Sequence, residues 1–577
     1  MLNSHTRTTL AWSKASAMRT ALLCLAGAVG ALVYRASWGS SMRLPEVQVA
    51  EYLAVCLGAA ALTLIYSGFG GGWVGRILNR GYAAWLAAAV LFAGIYKAGM
   101  YQFGGWDEGL VLNAACRYGY GQAPGTDYLC SLPPLFLAGV RCAAYGFGLR
   151  WSSFAWFLAG FSALAMLWIS NLLTMAGMRR SWTVAVSVCV VINTALMAPF
   201  WWFNNSTAIS VVLLFAAVLA CLRVRSGWWP WLSCTVALGM VLASKPNVAP
   251  ASLMVAGLLF VLPPRDWWRI FAVCAGGGMV FLALCKAALL PVGALLHSYV
   301  EVGRLRGSPL LMLPLRDMFW PESGLQAAII LLLLGCFLWL LGWWRQRRDQ
   351  PAVAFICVMA ALTSLEMACT NSEYKTSDLA LMMAACAVLA LCGNARPRLA
   401  TRYLLASICA FFLVFGIFFS SIHIRIRSIG AMLYYEEAPT REIDSGVFRG
   451  LQAGPRLQRV LRQTELALER YPAKTVFFGP RMEFGYAVFG RRPLEGLPLL
   501  WDPGNMFSPE RLPALLLRFQ QHDPDVLIFL KNDFTRMGIV GYYIQRSATY
   551  RRDESFSDIT VFVRDRTVPI SFIRVQH

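Results

Sequence analysis

Long apolar runs, each closed by a short polar or basic break, repeat along most of this chain. A spanning helix needs about 20 mostly apolar residues, within a range of about 17–25. Runs of that kind centre near 18–34, 50–68, 82–98, 152–173, 183–200, 207–222, 228–244, 247–262, 268–290, 325–344, 351–369, 377–392 and 401–420, so about 13 spans are expected. Pro134–Leu149 is apolar but short and holds Arg141, which suits an interfacial or re-entrant helix. After about Ser421 the pattern changes. Leu457–Tyr471 and Pro509–Gln521 have helical periodicity, whereas Thr475–Phe478, Asp525–Leu530 and Asp558–Arg564 read as strands. Alternating helix and strand predict a small α/β domain. Gly479-Pro480 and Asp502-Pro503-Gly504 mark turns within it.

Composition agrees with a membrane protein. Hydrophobic residues make up 58% of the chain and charged residues only 14%, against roughly 25% charged in soluble domains. The net charge of +21 divides into +5 from Ser421 onward and +16 before it. No Lys/Arg run with interleaved aromatics sits on a soluble domain, so nucleic acid is excluded as the reason for the charge. Loop anchoring and contact with anionic lipid explain it better. Leaving Pro134–Leu149 out of the span count places Arg179-Arg180, Arg223/Arg225, Arg265/Arg269, Arg345/Arg347/Arg348 and Arg396/Arg398 on the side of the basic N-terminus. That satisfies the positive-inside rule loop after loop.

The N-terminus is therefore expected in the cytoplasm, with a retained first span. Residues 100–150, 291–324 and 370–377, and everything after about Ser421, are expected on the outer face. The expected fold is mainly α, a polytopic transmembrane helical bundle with a C-terminal outer-face α/β domain. Residues 1–81 hold the tail and two extra spans, 82–420 the transmembrane core, and 421–577 the outer domain. A bacterial inner membrane is the expected location. The 16 cysteines are scattered without CxxC or metal-like spacing. Cys116 and Cys130 lie in one outer loop, where either a disulfide or two free thiols fits.

Within that loop, Asp107-Glu108 stands out in a chain poor in acids. Ionised groups next to a bilayer are costly unless solvated or used. The bland explanation is an N-cap, with Asp107 closing a helix over Glu108–Tyr118. The loop continues through Gly121-Gln-Ala-Pro124 and Asp127-Tyr128 to Leu132-Pro133-Pro134-Leu-Phe136. This order resembles the first outer loop of the GT-C glycosyltransferases, and most nearly that of the lipid A aminoarabinose transferases and protein O-mannosyltransferases. The family form places Tyr between Pro and Asp, whereas here Tyr128 follows Asp127. The resemblance implies transfer of a sugar from a polyprenyl-phosphate donor to a lipid, glycan or protein hydroxyl, with inversion at the anomeric carbon. In that frame Asp107 is the general base and Glu108 orients it or the acceptor. Asp127 and Tyr128 are then acceptor-binding candidates. Three carboxylates without a His leave a divalent cation allowed but not required.

A phosphate leaving group needs cations nearby. Lys245, in Ser244-Lys245-Pro246-Asn247, resembles a Lys-x-Asn signature of GT-C proteins. Arg304 and Arg306 near His297 and Tyr299, and Tyr374-Lys375 in a tight hairpin, are the other candidates, each equally readable as a solvated or snorkelling group. Glu366 lies inside an apolar run and should face the bundle interior. Phe478-Gly479-Pro480-Arg481-Met482-Glu483 and Gly490-Arg491-Arg492-Pro493 resemble a segment of some bacterial members, where they serve acceptor binding or structural cover. A transporter or lipid flippase is the rival reading, and an inactive assembly protein on the same fold is a third. The transporter would be expected to show repeated halves with broken helices, which the sequence lacks.

Overall fold

In a computed structural model of the chain, the described residues are 81–100, 103, 107–195, 198–305, 334, 337–338, 341, 351–370, 441–501, 506–531 and 549–567. The expected spans at 18–34, 50–68, 377–392 and 401–420, and most of 325–344, lie outside them.

Helices α1 (Tyr82–Gly99), α2 (Asp107–Gly119), α3 (Pro134–Phe147), α4 (Trp151–Met175), α5 (Arg180–Ala195), α6 (Phe203–Arg223), α7 (Trp228–Leu242), α8 (Trp268–Ala287), α9 (Val292–Leu305) and α10 (Pro351–Thr370) form the apolar part. Among the described residues four helical runs are long and apolar enough to cross a membrane: Tyr82–Gly99, Trp151–Met175, Phe203–Arg223 and Pro264–Ala287. The most apolar is α6, and 94% of its apolar window is buried. A helix apolar all round belongs inside a bundle, and α6 lies there, packed against α4, α5 and α7. Close approach fixes the α7–α8 pair: a Cβ on Gly239 would fall 2.8 Å from the Gly277 carbonyl oxygen. Small residues at such crossings are the usual device of membrane bundles.

One expectation holds and one changes. Pro134–Phe147 is a 14-residue helix, about 21 Å long at 1.5 Å per residue. That is too short to cross a core of about 30 Å, as expected of an interfacial or re-entrant element. The run near 247–262 is not a regular α-span. Pro246–Phe260 consists of short turns, mostly 3₁₀, around the four-residue helix Ala249–Ser252. Pro246 and Pro250 remove backbone donors there, and hydropathy alone does not register that loss.

Beyond residue 440 the chain builds a separate sheet layer. Strand β1 (Arg441–Glu442) pairs with β2 (Gln452–Ala453), and α11 (Pro455–Arg470) follows. Strands β3 (Val476–Phe478), β4 (Val526–Leu530), β5 (Tyr550–Asp553) and β6 (Ile559–Arg564) form a sheet of order β3-β4-β6-β5. Only β3 and β4 are parallel. Short α12 (Gly485–Val488) and α13 (Leu512–His522) lie between β3 and β4 in sequence, α13 in the connection expected of a parallel pair. The helix of Pro509–Gln521 begins as a 3₁₀ turn, Pro509–Arg511, before α13.

Three aspartates lace this layer. Asp525 accepts from the Lys474 and Thr475 N–H groups and from the Thr475 hydroxyl. Asp558 accepts from Arg459 and Gln463 of α11. Asp553 accepts from Ser555, Tyr471 and Arg470. At each, burial opposes the charge but donated hydrogen bonds outweigh it. All three carboxyls sit below their usual range, Asp553 at about 2. A folded-state pKa below the unfolded one stabilises the fold above the unfolded value, and that contribution is lost as pH falls through the folded value. The thermal midpoint of this layer is therefore expected to hold steady down to about pH 4 and to fall between about pH 4 and 2. Calorimetry across that window checks it, and an unchanged midpoint at the acid end would refute the three-aspartate lacing.

Candidate active site

Helix α2 opens with the acidic pair and carries Arg117 in its last turn, the charge order that a helix dipole favours. It is no solvated boundary. Every residue from Asp107 to Tyr118 is buried, and Asp107 and Glu108 are each 8% exposed. Asp107 and Glu108 both belong to the first turn of the described helix.

The segment after β3 packs against that first turn. A Cβ on Gly109 would lie 3.9 Å from both the Phe484 backbone nitrogen and its ring. Phe103 packs edge-on against Phe484, Phe448 and Trp151 at 5.2, 4.6 and 5.1 Å. Glu483, 2% exposed, immediately precedes Phe484. Arg481 holds a left-handed backbone at φ 65°, a conformation that is uncommon outside glycine and clusters at functional segments. The junction thus combines three buried carboxylates, Asp107, Glu108 and Glu483, with a strained arginine two residues before the last. Sequence reading singled out the Gly479–Glu483 motif without its position. That position depends on a contact spanning more than 370 residues.

The rest of α2 and its following turn is clamped to residues 490–499. Asn113 Nδ2 donates to the Leu499 carbonyl at 2.9 Å, Gln122 Nε2 to Pro493 at 2.8 Å, and Tyr120 Oη to Gly490 at 2.8 Å. The Gly496 N–H donates to the Asp127 carbonyl and the Leu499 N–H to Leu129. Arg117 is the hub. Its Nη1 donates to Gln122 Oε1 at 2.8 Å and to the Leu494 carbonyl at 3.2 Å, and the guanidinium lies 4.7 Å from the Tyr128 ring centre. Burial pulls the Arg117 pKa below its ordinary value, while Tyr128 and Tyr486 work the other way. Gly490-Arg491-Arg492-Pro493 thus covers the helix, accepting its hydrogen bonds through backbone carbonyls.

Several of the expected site residues take part in this arrangement. Asp127 Oδ2 accepts the Ala123 N–H at 2.7 Å and closes its own turn. Tyr128 is 2% exposed and packs on Arg117. Both serve the clamp, an effect of contacts that one-dimensional spacing does not carry. Cys116 and Cys130 are free, buried thiols, each pushed up to about 12, chiefly by burial. Among the described residues no three His, Cys, Asp or Glu side chains gather as a metal site.

Lys245 meets the other end of the loop. Its ammonium lies 4.5 Å from the Phe203 ring centre, and Phe203 packs edge-on against Phe136, two residues past Pro134. The Leu135 N–H donates to the Ala243 carbonyl at 3.0 Å. Helix α9 locks this corner from a third direction. Tyr299 Oη donates to the Ser244 carbonyl at 3.2 Å and Ser298 Oγ to Cys130 at 3.5 Å. Glu301 pairs with Arg511 at 2.8 Å and accepts the Ser508 N–H at 3.1 Å, and Arg511 also meets His297. Arg304 lies on this helix. Arg306, Tyr374 and Lys375 lie outside the described residues. Glu366, in α10, is half-buried. The Glu301–Arg511 pair and Asn113 escaped sequence reading, because nothing local distinguishes them from ordinary surface or helix residues.

No family model matches this chain, and no curated protein does. Among solved structures it is similar to ArnT from Cupriavidus metallidurans bound to undecaprenyl phosphate, with 14% identity over 85% of this chain and 99% of the other, at a TM-score of 0.44. It is likewise similar to the same protein in the apo state, with 13% identity over 84% and 98%, at a TM-score of 0.45.

Proposed function

We propose that this chain is an integral-membrane glycosyltransferase of the GT-C type. It moves a sugar from a polyprenyl-phosphate donor to an acceptor hydroxyl on the outer face of the membrane. The acceptor oxygen attacks the anomeric carbon from the side opposite the phosphate. The C–O bond to phosphate breaks, its electron pair leaves with the phosphate, and the acceptor proton passes to the Asp107 carboxylate. The configuration at the anomeric carbon inverts.

The observation that carries this reading is the buried acidic pair in the first turn of α2, facing the Glu483–Phe484 segment. Burying carboxylates costs free energy unless they are paired or used. Placing them at a helix N-terminus offsets part of that cost. The Asp-Glu to Pro-Pro order of the loop supplies the family resemblance. Glu108 orients the base or the acceptor. Lys245, held at the Pro133-Pro134 corner, and Arg304 of α9 stand as partners for the leaving phosphate.

Lys245→Ala is expected to raise KM for the polyprenyl-phosphate sugar by about tenfold, the scale of a charge-assisted hydrogen bond of about 1.5 kcal/mol, and to leave KM for the acceptor unchanged. Steady-state transfer with a polyprenyl-phosphate sugar pool extracted from host membranes separates the two. An unaltered donor KM would remove Lys245 from phosphate binding.

A further inference from the structure

Away from the Asp107 helix, a cavity of about 560 Å³ opens where α1 ends, α4 begins and the β1–β2 hairpin folds over them. Lys97 in the last turn of α1, Arg150 immediately before α4, and Arg449 in the hairpin line it, together with Tyr96, Ser152 and Glu442. Three separate stretches of chain therefore deliver three cations to one hollow. Among the described residues none of these cations has a carboxylate within salt-bridge distance. The nearby Glu442 accepts instead from Gln452 Nε2, at 3.1 Å. Like charges gathered without partners repel one another unless an anion joins them.

The location narrows the anion. Helix α1 has 18 residues, about 27 Å at 1.5 Å per residue, close to the hydrocarbon thickness of about 30 Å. Lys97, in its last turn, then stands at the level of lipid headgroups. The hairpin is pinned there by the Gln452 N–H donating to the Met100 carbonyl at 2.9 Å.

The geometry points to a binding site for the phosphate of an anionic lipid headgroup, formed by Lys97, Arg150 and Arg449. It goes beyond the transfer reaction and does not rest on it. Occupancy ties the hairpin, and with it the sheet layer, to the membrane surface.

The test uses the purified full chain in detergent, titrated with short-chain phosphatidylglycerol and followed by thermal unfolding. Short-chain phosphatidylcholine and inorganic phosphate are the comparison arms. The wild type is expected to be stabilised by phosphatidylglycerol at lower concentration than by either comparison ligand. Each basic residue near an anionic surface contributes about fivefold. Lys97→Gln, Arg150→Gln and Arg449→Gln together should therefore raise the half-saturating concentration at least about tenfold. A variant neutralising Arg462, Lys474 and Arg551, exposed elsewhere, should titrate as the wild type does. If the triple variant does not yield folded protein, Arg449→Glu alone is read in the same way, with a shift of at least about fivefold expected. A variant that titrates like the wild type overturns the site. Inorganic phosphate or phosphatidylcholine saturating at the phosphatidylglycerol concentration overturns the assignment to an anionic lipid.

Discussion

Asp107→Asn is expected to abolish sugar transfer, lowering kcat by about 10²- to 10⁴-fold, the usual contribution of a positioned base. The substitution keeps the size and shape of the side chain and the hydrogen-bonding capacity of the helix N-terminus, so the fold should survive it. It removes the one property the mechanism needs, an oxygen able to take the acceptor proton. Thermal unfolding and membrane insertion should match the wild type, which separates loss of chemistry from loss of structure. Retention of more than about a tenth of the wild-type rate would assign the base to another group, and Glu108 or Glu483 at the same junction would then be the one to replace.

Arg117→Met is expected to be the most damaging single change to the scaffold. It deletes two hydrogen bonds from a buried cation, to Gln122 and to the Leu494 carbonyl, and strips the Tyr128 ring of its cation. Hydrogen bonds to charged groups contribute about 1.5–3 kcal/mol each. Relief from burying the guanidinium offsets part of that loss, so a net destabilisation of about 2–3 kcal/mol is expected. Because the bonds cross from α2 to residues 490–499, protease cleavage within 490–499 should accelerate together with the loss of stability. Adding Gln122→Met should deepen the loss, since it also deletes the Gln122 Nε2 bond to the Pro493 carbonyl. A stability change below about 0.5 kcal/mol would mean that the clamp rests on packing alone.

Several elements were legible because their physics is local. The acidic first turn of α2 and the run after it read as a helix, and a helix spans Asp107–Gly119. Pro133-Pro134 announces a new element, and α3 begins at Pro134. The all-apolar strand Val526–Leu530 and the alternating Ile559–Arg564 carry their own patterns. Strand β5 was missed. Its Tyr-Arg-Arg-Asp sequence lacks an apolar alternation because it is a sheet edge with its charges exposed. The Pro246–Phe260 stretch was read as a span because hydropathy outweighed two prolines. At the site the sequence singled out Asp107, Glu108 and Lys245 as candidates by type and order. It did not show that Asp127 and Tyr128 also join α2 to residues about 370 positions away, since only that contact makes them parts of a clamp. The same distance hid the packing of Phe484 against the first turn of α2.

The central claim is that Asp107 drives sugar transfer from a polyprenyl-phosphate donor. It is tested most directly by comparing the lipids and glycans of cells that express the wild-type chain with those of cells that express Asp107→Asn. The account predicts that one glycoconjugate disappears in the variant while a polyprenyl-phosphate sugar accumulates. Identical lipid and glycan profiles in the two strains, with both proteins present in the membrane, would contradict it.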